Sequence, residues 1–236
     1  MKVLIVIPTY NEKYNISKLI PKILIQNRII NILIVDDNSP DGTGELADEI
    51  SRKNKRIKVI HRKIKMGLGA ACIDGFKFGL DRGYDLICEM DADLSHDPKY
   101  LNELVRKSQK YDLVLGSRWI DGGGVVGWAW YRYVISWSAN LITRILFGLK
   151  QKDLTTGYRC YRRKVLETVN LNNTVSSGYA FLEEMVYETH KAGFKIKEIP
   201  IIFIDRRFGQ TKMSKKEIID STKAILRLFI KRYIVH

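Results

Sequence analysis

Cysteine, proline and long apolar runs are scarce in this sequence. Its 236 residues include 3 cysteines, 5 prolines and 4 histidines. Cysteines so few and so far apart argue against a disulfide framework or a cysteine-based zinc site, and they favour a reducing or cytosol-facing setting. No apolar run approaches the roughly 18 residues of a membrane-spanning helix. The densest stretch, residues 128–149, is interrupted by Arg132 and Arg144. The sequence therefore predicts no transmembrane helix.

The charge balance is strongly positive. Lys and Arg number 40 against 26 Asp and Glu, which gives a formal net charge of +14. An excess of this size attracts polyanions, such as nucleic acids, anionic lipids and phosphorylated substrates. With 45% hydrophobic and 28% charged residues, the composition is otherwise that of a globular protein. Composition alone leaves these partner classes open.

Short apolar runs alternate with helical patterns through the first half of the chain. The runs at residues 3–7, 32–35, 57–60, 86–90 and 113–115 are typical of buried strands. This alternation predicts an α/β fold with a mostly parallel central sheet flanked by helices. No linker or internal repeat divides the chain, so we expect one domain over residues 1–236.

Two local signals concern the helices of this predicted fold. Asp97 followed by Pro98 is typical of an N-cap with proline at the first helical position, and it predicts a helix over residues 99–110. Pro21 lies inside the first helical pattern, where it predicts a kink or a late start.

Acidic residues follow three of the predicted strands. They lie in residues 9–12, 36–42 and 91–96, and ligands of open α/β sheets bind beyond the carboxyl ends of the strands. Clustered carboxylates are costly unless a cation or a ligand compensates them. Asp91 and Asp93 can therefore converge on a hard divalent ion, Mg²⁺ or Mn²⁺, completed by water and phosphate oxygens. A solvated turn is the alternative, and the two other acidic loops weigh against it.

Several common catalytic motifs are missing from the chain. The pair Gly67 and Gly69 lacks the third glycine of a dinucleotide-binding loop and does not follow the first strand, so helix packing is the better interpretation. There is no phosphate-binding P-loop pattern, and no serine stands in a nucleophile elbow. Dehydrogenase, P-loop enzyme and acyl-transfer hydrolase are thereby set aside.

Six ordered segments carry a resemblance to a known family. They are PTYNE (8–12), VDDNSPDGT (35–43), MDADLSH (90–96), LGSR (115–118), DLTTGYR (153–159) and DRRFGQTK (205–212). The first three resemble the nucleotide-sugar half of inverting family 2 glycosyltransferases with the GT-A fold. The last three narrow the resemblance to dolichyl-phosphate (polyprenyl-phosphate) mannosyltransferases. The resemblance covers nearly the whole chain.

The resemblance implies a set of residues that bind GDP-mannose. Asp91 and Asp93 would hold the metal on the diphosphate together with Ser95, a position where many microbial relatives carry Gln. Arg206 and Lys212 would neutralise the leaving group. The remaining donor contacts would come from Pro8, Tyr10, Glu12, Val35, Asp37, Ala92 and Arg118.

The acceptor implied by the resemblance is a dolichyl or polyprenyl phosphate. Arg118 and Arg132, with Ser136, would hold its phosphate, and a phosphate oxygen would attack the anomeric carbon from the face opposite GDP. The product would be polyprenyl β-mannosyl phosphate. A phosphate monoester has a second pKa of about 6, so this nucleophile needs no general base. Glu183 and Glu184, in a helical pattern, are therefore interpreted as structural or sugar-contacting. Asp91, Asp93, Arg118, Arg206 and Lys212 form the expected catalytic set.

Two segments of the sequence are typical of a membrane interface. Residues 206–236 contain nine Lys or Arg against two acids, and their apolar residues recur at helical spacing. Residues 128–149 combine aromatic residues with arginines, which suits the headgroup region of a bilayer. We expect interface helices over residues 128–149 and 214–236, and peripheral attachment to the cytosolic face of a membrane. Separate membrane-anchoring subunits are a possible further partner.

Three alternative functions agree less well with the sequence. A polyprenyl-phosphate glucosyltransferase, or a transferase of another nucleotide sugar, would share the diphosphate motifs. Nucleic-acid binding is not expected, because the acidic loops at the ligand edge would repel a phosphate backbone. A non-catalytic scaffold is remote, since the expected catalytic positions are all present.

Overall fold

The computed structural model describes residues 1–171, 179–206 and 222–230. The strands within these residues are β1 (Val3–Thr9), β2 (Ile30–Asp36), β3 (Ile57–His61), β4 (Leu86–Glu89), β5 (Leu113–Ser117), β6 (Gly124–Val126), β7 (Arg159–Arg162), β8 (Ile196–Pro200) and β9 (Ile202–Ile204). The α-helices are α1 (Lys13–Leu24), α2 (Thr43–Lys53), α3 (Leu68–Asp81), α4 (Leu101–Lys107), α5 (Trp130–Phe147), α6 (Arg163–Thr168), α7 (Tyr179–Lys191) and α8 (222–230). A 3₁₀ turn, Pro98–Tyr100, precedes α4.

A mixed sheet of seven strands forms the centre of the fold, in the order β3-β2-β1-β4-β7-β5-β8. β7 runs antiparallel to both of its neighbours, while the other pairs in this sheet are parallel. β6 and β9 form a small parallel sheet of their own. The prediction of a mostly parallel sheet flanked by helices is confirmed, and β7 is the exception that the sequence did not indicate.

The central strands of the large sheet are buried on both faces and contribute side chains to two apolar clusters. In β1, Leu4 and Val6 join one cluster while Val3, Ile5 and Ile7 join the other, as the two-residue period of a strand requires. Helices α3, α6, α7 and α8 cover the first face, and helices α1, α2 and α4 cover the second. The sheet is thereby enclosed, with its loops left at the two ends of the strands.

Glycines bring α3 unusually close to the sheet. A Cβ atom at Gly75 would lie 2.3 Å from Val6 Cγ1, and one at Gly79 would lie 2.6 Å from Ile87 Cδ1. A Cβ atom at Gly69 would meet the Phe181 side chain at 3.0 Å, which agrees with the helix-packing interpretation of that residue. Gly67 has φ +89 and caps the helix instead. Any side chain at Gly75 or Gly79 would push α3 off the sheet.

Most predicted elements appear at their expected positions. The five apolar runs form β1 to β5, and the Asp97 carboxylate accepts the Lys99 N–H at 3.0 Å at the start of the predicted helix. The prediction of a late start after Pro21 is wrong, because α1 begins at Lys13 and contains the proline. The spacing of the cysteines in the sequence does not indicate which of them lie close together in the fold. Cys88 and Cys160 are paired positions of β4 and β7, both as buried free thiols.

Helix α5 has an inverted distribution of side chains. Its buried residues are Asn140, Thr143 and Phe147, while Trp130, Trp137 and Ile145 are exposed by 77%, 48% and 72%. It occupies most of the interface helix predicted over residues 128–149. Of the helix predicted over residues 214–236, the described part is α8, which buries Ile225 and Leu228 in the core. Among the described helices, none is both long and apolar enough to cross a membrane.

Candidate active site

Loops from three adjacent strands meet at one edge of the sheet. The Thr9 hydroxyl, at the end of β1, donates to Asp36 Oδ1 at 3.1 Å, and the Asp37 N–H donates to the Thr9 carbonyl at 2.9 Å. The loop after β1 is tied to α2, since the Glu12 N–H donates to Thr43 Oγ1 at 2.9 Å. β4, which ends one residue before the acidic loop, is the other neighbour of β1. The structure thus brings together the acidic loops that the sequence assigned to one edge.

Asp37 is buried under the loop that connects β3 to α3. Its carboxylate accepts hydrogen bonds from Arg62 Nη1 at 2.7 Å and from the backbone N–H groups of Met66 and Gly67 at 3.0 and 2.7 Å. Arg62 also pairs with Asp74 of α3 at 2.9 Å. In this structure Asp37 therefore holds the loop at the start of α3, and its contact with a nucleoside stays a prediction.

The other residues expected on the nucleoside side surround the same edge. Pro8 and Val35 are paired positions of β1 and β2. The Tyr10 ring lies 3.7 Å from the Lys65 ammonium, which covers one of its faces. Glu12 is buried and accepts a hydrogen bond from Asn15 Nδ2 at 2.6 Å. These contacts order the loop after β1.

Asp93 is the more enclosed of the two acids in the loop after β4. The Ser95 backbone N–H donates to Asp93 Oδ1 at 3.1 Å, and the Ser95 hydroxyl donates to the same oxygen. Arg206 Nη2 lies 3.1 Å from Asp93 Oδ2, so the structure joins two residues predicted for the diphosphate. Ala92 is buried between the acids, and Leu94 has φ +66, which turns the chain back toward Asp93. Ser95 orients Asp93 here, and direct ligation by Ser95 stays a prediction.

Asp91 is more open, with its side chain 33% exposed. A Cβ atom at Gly157 would lie 3.0 Å from Asp91 Oδ1, so glycine at that position leaves room beside the carboxylate. The Asp91 N–H donates to His96 Nδ1 at 3.2 Å. His96 is buried and stacks on the Tyr158 ring at 4.8 Å. Burial lowers the pKa of His96, against the opposing charge of Asp91, and the neutral ring acts as a structural acceptor.

The residues of this loop fit a divalent cation that takes few protein ligands. Among the described residues, no group of three or more His, Cys, Asp and Glu side chains is arranged around one point. Mg²⁺ commonly takes only one or two carboxylates and completes its shell with water and substrate phosphates. The open carboxylate of Asp91 and the oriented carboxylate of Asp93 match that donor set.

Arg118 lies on the other side of the site, at the end of β5. Its Nε and Nη2 donate to the two oxygens of buried Asp153 at 2.7 and 2.6 Å, and its backbone N–H donates to Oδ2 at 2.9 Å. Nη2 also donates to Thr155 Oγ1 at 2.7 Å. A bidentate pair of this kind fixes the plane of the guanidinium. Asp153 therefore sets the orientation of the arginine expected at the acceptor phosphate.

Arg132 and Ser136 lie one helical turn apart on α5. Arg132 Nη1 donates to Asp205 Oδ2 at 2.7 Å, in a pair whose side chains are both about one quarter exposed. Further along the same face, buried Asn140 donates to the Ser136 carbonyl at 2.7 Å and accepts the Leu154 N–H at 2.6 Å. The polar face of α5 is thus attached to the segment that carries Asp153.

Arg159 organises that segment from below. It is fully buried, and its Nε and Nη2 donate to the carbonyls of Thr156 and Leu154 at 2.6 and 2.7 Å. Its Nη1 donates to the Leu182 carbonyl of α7 at 2.6 Å. One side chain therefore holds residues 153–157 between α7 and the two halves of the site, with Asp153 facing Arg118 and Gly157 facing Asp91.

Two buried glutamates lie near Arg159. Burial raises the pKa of Glu89 to about 7, against the opposing charge of Arg159, and the Cys72 thiol donates to its Oε1 at 3.3 Å. Burial also raises the pKa of Glu183 to about 7, although Thr143 of α5 donates to its Oε1 at 2.9 Å. Glu184 is buried beside it. Glu183 links α7 to α5, which fits the structural interpretation made from the sequence.

Comparison with known proteins shows which family this arrangement represents. Residues 4–169 match the model of glycosyl transferase family 2. An undecaprenyl-phosphate mannosyltransferase of Micrococcus luteus is 44% identical over 214 residues, which is 91% of this chain and 88% of that protein. A polyprenol monophosphomannose synthase of Mycolicibacterium smegmatis is 44% identical over 219 residues, covering 92% of this chain and 83% of that protein.

The chain belongs to glycosyl transferase family 2. The resemblance to polyprenyl-phosphate mannosyltransferases is confirmed at the level of the family. Among solved structures, glucosyl-3-phosphoglycerate synthase of Mycobacterium tuberculosis in complex with phosphoglyceric acid has a TM-score of 0.71 at 15% identity, over 98% of this chain and 79% of that one. The same protein with Mn²⁺ and UDP-glucose has a TM-score of 0.71 at 15% identity, over 98% and 78%. These structures support the GT-A fold of this family 2 chain.

Some of the residues expected from the sequence for this glycosyltransferase lie together in the structure, and others do not fall within the part that it describes. Asp91, Asp93 and Arg206 come together, and Arg118 lies with Arg132 around Trp128. Lys212 lies outside the described residues. The sequence analysis did not assign a site role to Arg62, Asn140 or Trp128. It noted the segment 153–159 but gave no role to Asp153 or Arg159. The sequence signal for this segment was its place among the six ordered segments. The roles of Asp153 and Arg159 depend on contacts with residues that are distant in sequence.

Proposed function

We propose that this chain transfers mannose from GDP-mannose to dolichyl phosphate or another polyprenyl phosphate, with inversion, and so forms polyprenyl β-mannosyl phosphate and GDP. The observation that carries the proposal is the 44% identity to two proteins named for mannose transfer to a polyprenyl phosphate, across more than nine tenths of the chain. An acidic loop paired with Arg206 and a separate pair of arginines are consistent with a donor and an acceptor that both carry phosphate.

The proposed reaction needs charge and position rather than a proton acceptor. Arg118 and Arg132 hold the acceptor phosphate, whose oxygen attacks the anomeric carbon while the bond to the GDP oxygen breaks. Arg206 stabilises negative charge on the departing diphosphate. Holding two mutually repelling anions in line is itself a large part of the acceleration.

Mg²⁺ or Mn²⁺ is proposed as the cofactor, with Asp91 and Asp93 as its protein ligands. A divalent cation supplies positive charge to the diphosphate when bound there. The chemistry of the two carboxylates supports this, and a neighbour with the same fold is named with Mn²⁺ and UDP-glucose. Ser95 supports Asp93 through its two hydrogen bonds.

Peripheral attachment to the cytosolic face of a membrane is part of the same proposal. The exposed face of α5 carries Trp130, Tyr133 and Trp137, and Arg132 lies beside it. Aromatic rings next to cations are favourable at the headgroup level of a bilayer. An acceptor with a long lipid tail is found only there, and membrane-anchoring subunits are proposed as possible partners.

The test is transfer of labelled mannose from GDP-mannose to a polyprenyl phosphate, with Mg²⁺ or Mn²⁺ and with a chelator. We expect an acid-labile mannolipid that disappears when the metal is removed. Product from UDP-glucose but not from GDP-mannose would assign the chain to the alternative, a polyprenyl-phosphate glucosyltransferase. No product from any donor would refute both.

A further inference from the structure

Trp128 lies next to both arginines assigned above to the acceptor phosphate. The centre of its ring is 5.3 Å from Cζ of Arg118 and 4.8 Å from Cζ of Arg132. Phe203 of β9 packs edge-on against it, with ring centres 5.4 Å apart. Arg118 comes from β5 and Arg132 from α5, so Trp128 is the side chain that lies near both.

The backbone fixes where Trp128 stands. The strand before it, β6, pairs with β9, and the Asp205 N–H extends this pairing by donating to the Val126 carbonyl at 2.8 Å. Gly127 has φ +90, and a Cβ atom there would lie 3.2 Å from Asp205 Cβ. The turn that presents Trp128 therefore depends on a glycine held against the segment that carries Asp205 and Arg206.

The indole nitrogen of Trp128 is buried and has no hydrogen-bond partner among the described residues. An unsatisfied buried donor costs about 1–3 kcal/mol, so native proteins rarely keep one without a reason. An indole N–H can only donate, and a guanidinium can only donate. These three neighbouring side chains present donors alone, and the acceptors paired with the two guanidiniums are Asp153 and Asp205. An anion with several acceptor oxygens suits the indole N–H and the guanidinium N–H groups that the aspartates leave over.

The two arginines differ in how firmly their aspartates hold them. The Arg118–Asp153 pair is buried, whereas the Arg132–Asp205 pair is about one quarter exposed. Partly exposed ion pairs contribute little net free energy, so a doubly charged anion can compete for Arg132 at small cost. Arg118 would keep its orientation while Arg132 turns toward the ligand.

We propose that the Trp128 indole N–H donates a hydrogen bond to a phosphate oxygen held by Arg118 and Arg132, and that this phosphate is the monoester of the polyprenyl acceptor. The inference deepens the proposed function and rests on it. Trp119 also has a buried indole nitrogen without a partner among the described residues. Its ring is near Arg118 alone, at 5.6 Å, and packs on Tyr133, so it is the weaker candidate.

The first experiment is an NMR titration of the wild-type chain labelled with both ¹⁵N-tryptophan and ¹⁵N-arginine. The sequence contains 4 tryptophans, so the indole region is simple to assign. A short-chain prenyl phosphate is expected to move the Trp128 indole proton downfield. A Trp128 resonance that stays in place while the prenyl phosphate shifts backbone resonances of Arg118 and Arg132 would overturn the proposal. A shift with GDP and none with prenyl phosphate would assign the hydrogen bond to the donor and also overturn it.

The second experiment is the kinetics of Trp128→Phe, which keeps an aromatic ring and removes the N–H donor together with the five-membered part of the indole. We expect the acceptor KM to rise about tenfold, the size of one hydrogen bond to a charged group, with kcat and the KM for GDP-mannose unchanged. Tyr84→Phe, a loss of one aromatic donor far from the site, is the matched control. A general loss of structure would lower kcat instead. An acceptor KM equal to that of the wild type would contradict the inference.

Failure of the inference and failure of the proposed function give different results. If the wild-type chain forms no mannolipid, the proposed function fails, and the titration still decides whether Trp128 contacts a phosphate monoester. If the wild-type chain is active and Trp128→Phe matches it in acceptor KM, only the role of Trp128 is refuted.

Discussion

Helices α3 and α5 support opposite sides of the site and bury opposite kinds of side chain. α3 buries Ala71, Cys72 and Phe76 together with its glycines, and it lies against the sheet beneath the donor-side loops. α5 buries Asn140 and Thr143, and it exposes Trp130, Trp137 and Ile145. An apolar face is normally turned inward because burial removes it from water. The exposed apolar face of α5 is the basis for the proposed contact with a membrane.

The difference shows how one domain can serve two unlike substrates. On the proposed donor side, the loops are hydrogen-bonded to each other and to α2. On the proposed acceptor side, α5 carries Arg132 and buries the polar residues Asn140 and Thr143, and we propose that its exposed apolar face contacts lipid. Changes on the two sides should therefore separate nucleotide-sugar chemistry from membrane contact, as four variants can test.

The largest effect is expected from Asp93→Ala on the donor side. It removes a proposed metal ligand and the partner of Arg206, so transfer should fall by a factor of about 10² to 10³ or more. Labelled-mannose transfer measures the loss, and circular dichroism checks that the fold persists. Asp112→Ala is the control, because Asp112 is an equally buried acid at the amino end of β5 that pairs with Lys164 at 2.7 Å. Wild-type turnover in Asp93→Ala would refute the assigned metal role.

Next comes the apolar face of α5. Replacing Trp130, Trp137 and Ile145 together by Ser removes three exposed apolar side chains, each worth about 1.5–3 kcal/mol when fully buried in lipid. Binding to vesicles with anionic lipid should drop at least tenfold in a flotation assay, while transfer to a short-chain soluble acceptor is retained. Ile25→Ser, which changes a side chain that is 79% exposed after α1, should leave flotation unchanged. Recovery of the wild-type chain wholly in the soluble fraction would contradict the proposal that the apolar face of α5 contacts lipid.

A smaller effect on transfer is expected from Asp153→Asn. Loss of the carboxylate breaks the buried pair with Arg118 and should lower the free energy of unfolding by about 3 kcal/mol. The acceptor KM should rise about tenfold with the KM for GDP-mannose unchanged, because Asp153 acts through the orientation of Arg118. Thr155→Val, which removes one hydrogen bond from the same guanidinium, should change the acceptor KM in the same direction with little loss of stability. Equal changes in both KM values would show that Asp153 is only a general structural residue.

The smallest effect concerns Glu183, which joins α7 to α5. Its pKa is raised to about 7, so the folded state holds a proton that the unfolded state releases above its ordinary pKa of 4.5. Stability contributed by this proton is present below pH 4.5 and declines as the pH rises toward about 7. As the pH rises from about 5 to about 8, the free energy of unfolding of Glu183→Gln should therefore increase relative to that of the wild type by on the order of 2 kcal/mol.

Thermal unfolding of the wild type and of Glu183→Gln, each at about pH 5 and about pH 8, measures this difference in stability. Glu89 has a similarly raised pKa and remains in the variant, so part of the pH dependence should persist. A variant whose Tm follows the wild type at both pH values would show that Glu183 carries no buried proton.

Much of the fold and half of the site were predictable from sequence. The apolar runs of β1, β2 and β5 reflect strands that are buried on both faces, and that pattern is local. Asp91 and Asp93 directly follow β4, so the rule for ligand sites in open sheets was enough to locate them. Pro21 was misjudged because helix α1 gains more from burying Ile16, Leu19, Ile20 and Ile23 than it loses at one proline.

The acceptor side was harder, because its contacts join residues that are distant in sequence. The inserted antiparallel strand β7 brings Cys160 opposite Cys88 and places Arg159 beneath the segment that carries Asp153. Neither the spacing of the cysteines nor the residue types in the segment 153–159 indicate these contacts. The aromatic and arginine content of residues 128–149 did indicate an interface helix, but not which of its faces is buried.

Local sequence pattern and composition are enough to establish the class of fold, the acidic edge, the family and the excess of positive charge. The folded arrangement was needed to show that Asp153 orients Arg118, that Asn140 attaches α5 to the same segment and that Trp128 lies beside two arginines. These are side-chain contacts between elements far apart along the chain. Their geometry follows from the order of strands in the sheet, which no short stretch of sequence encodes.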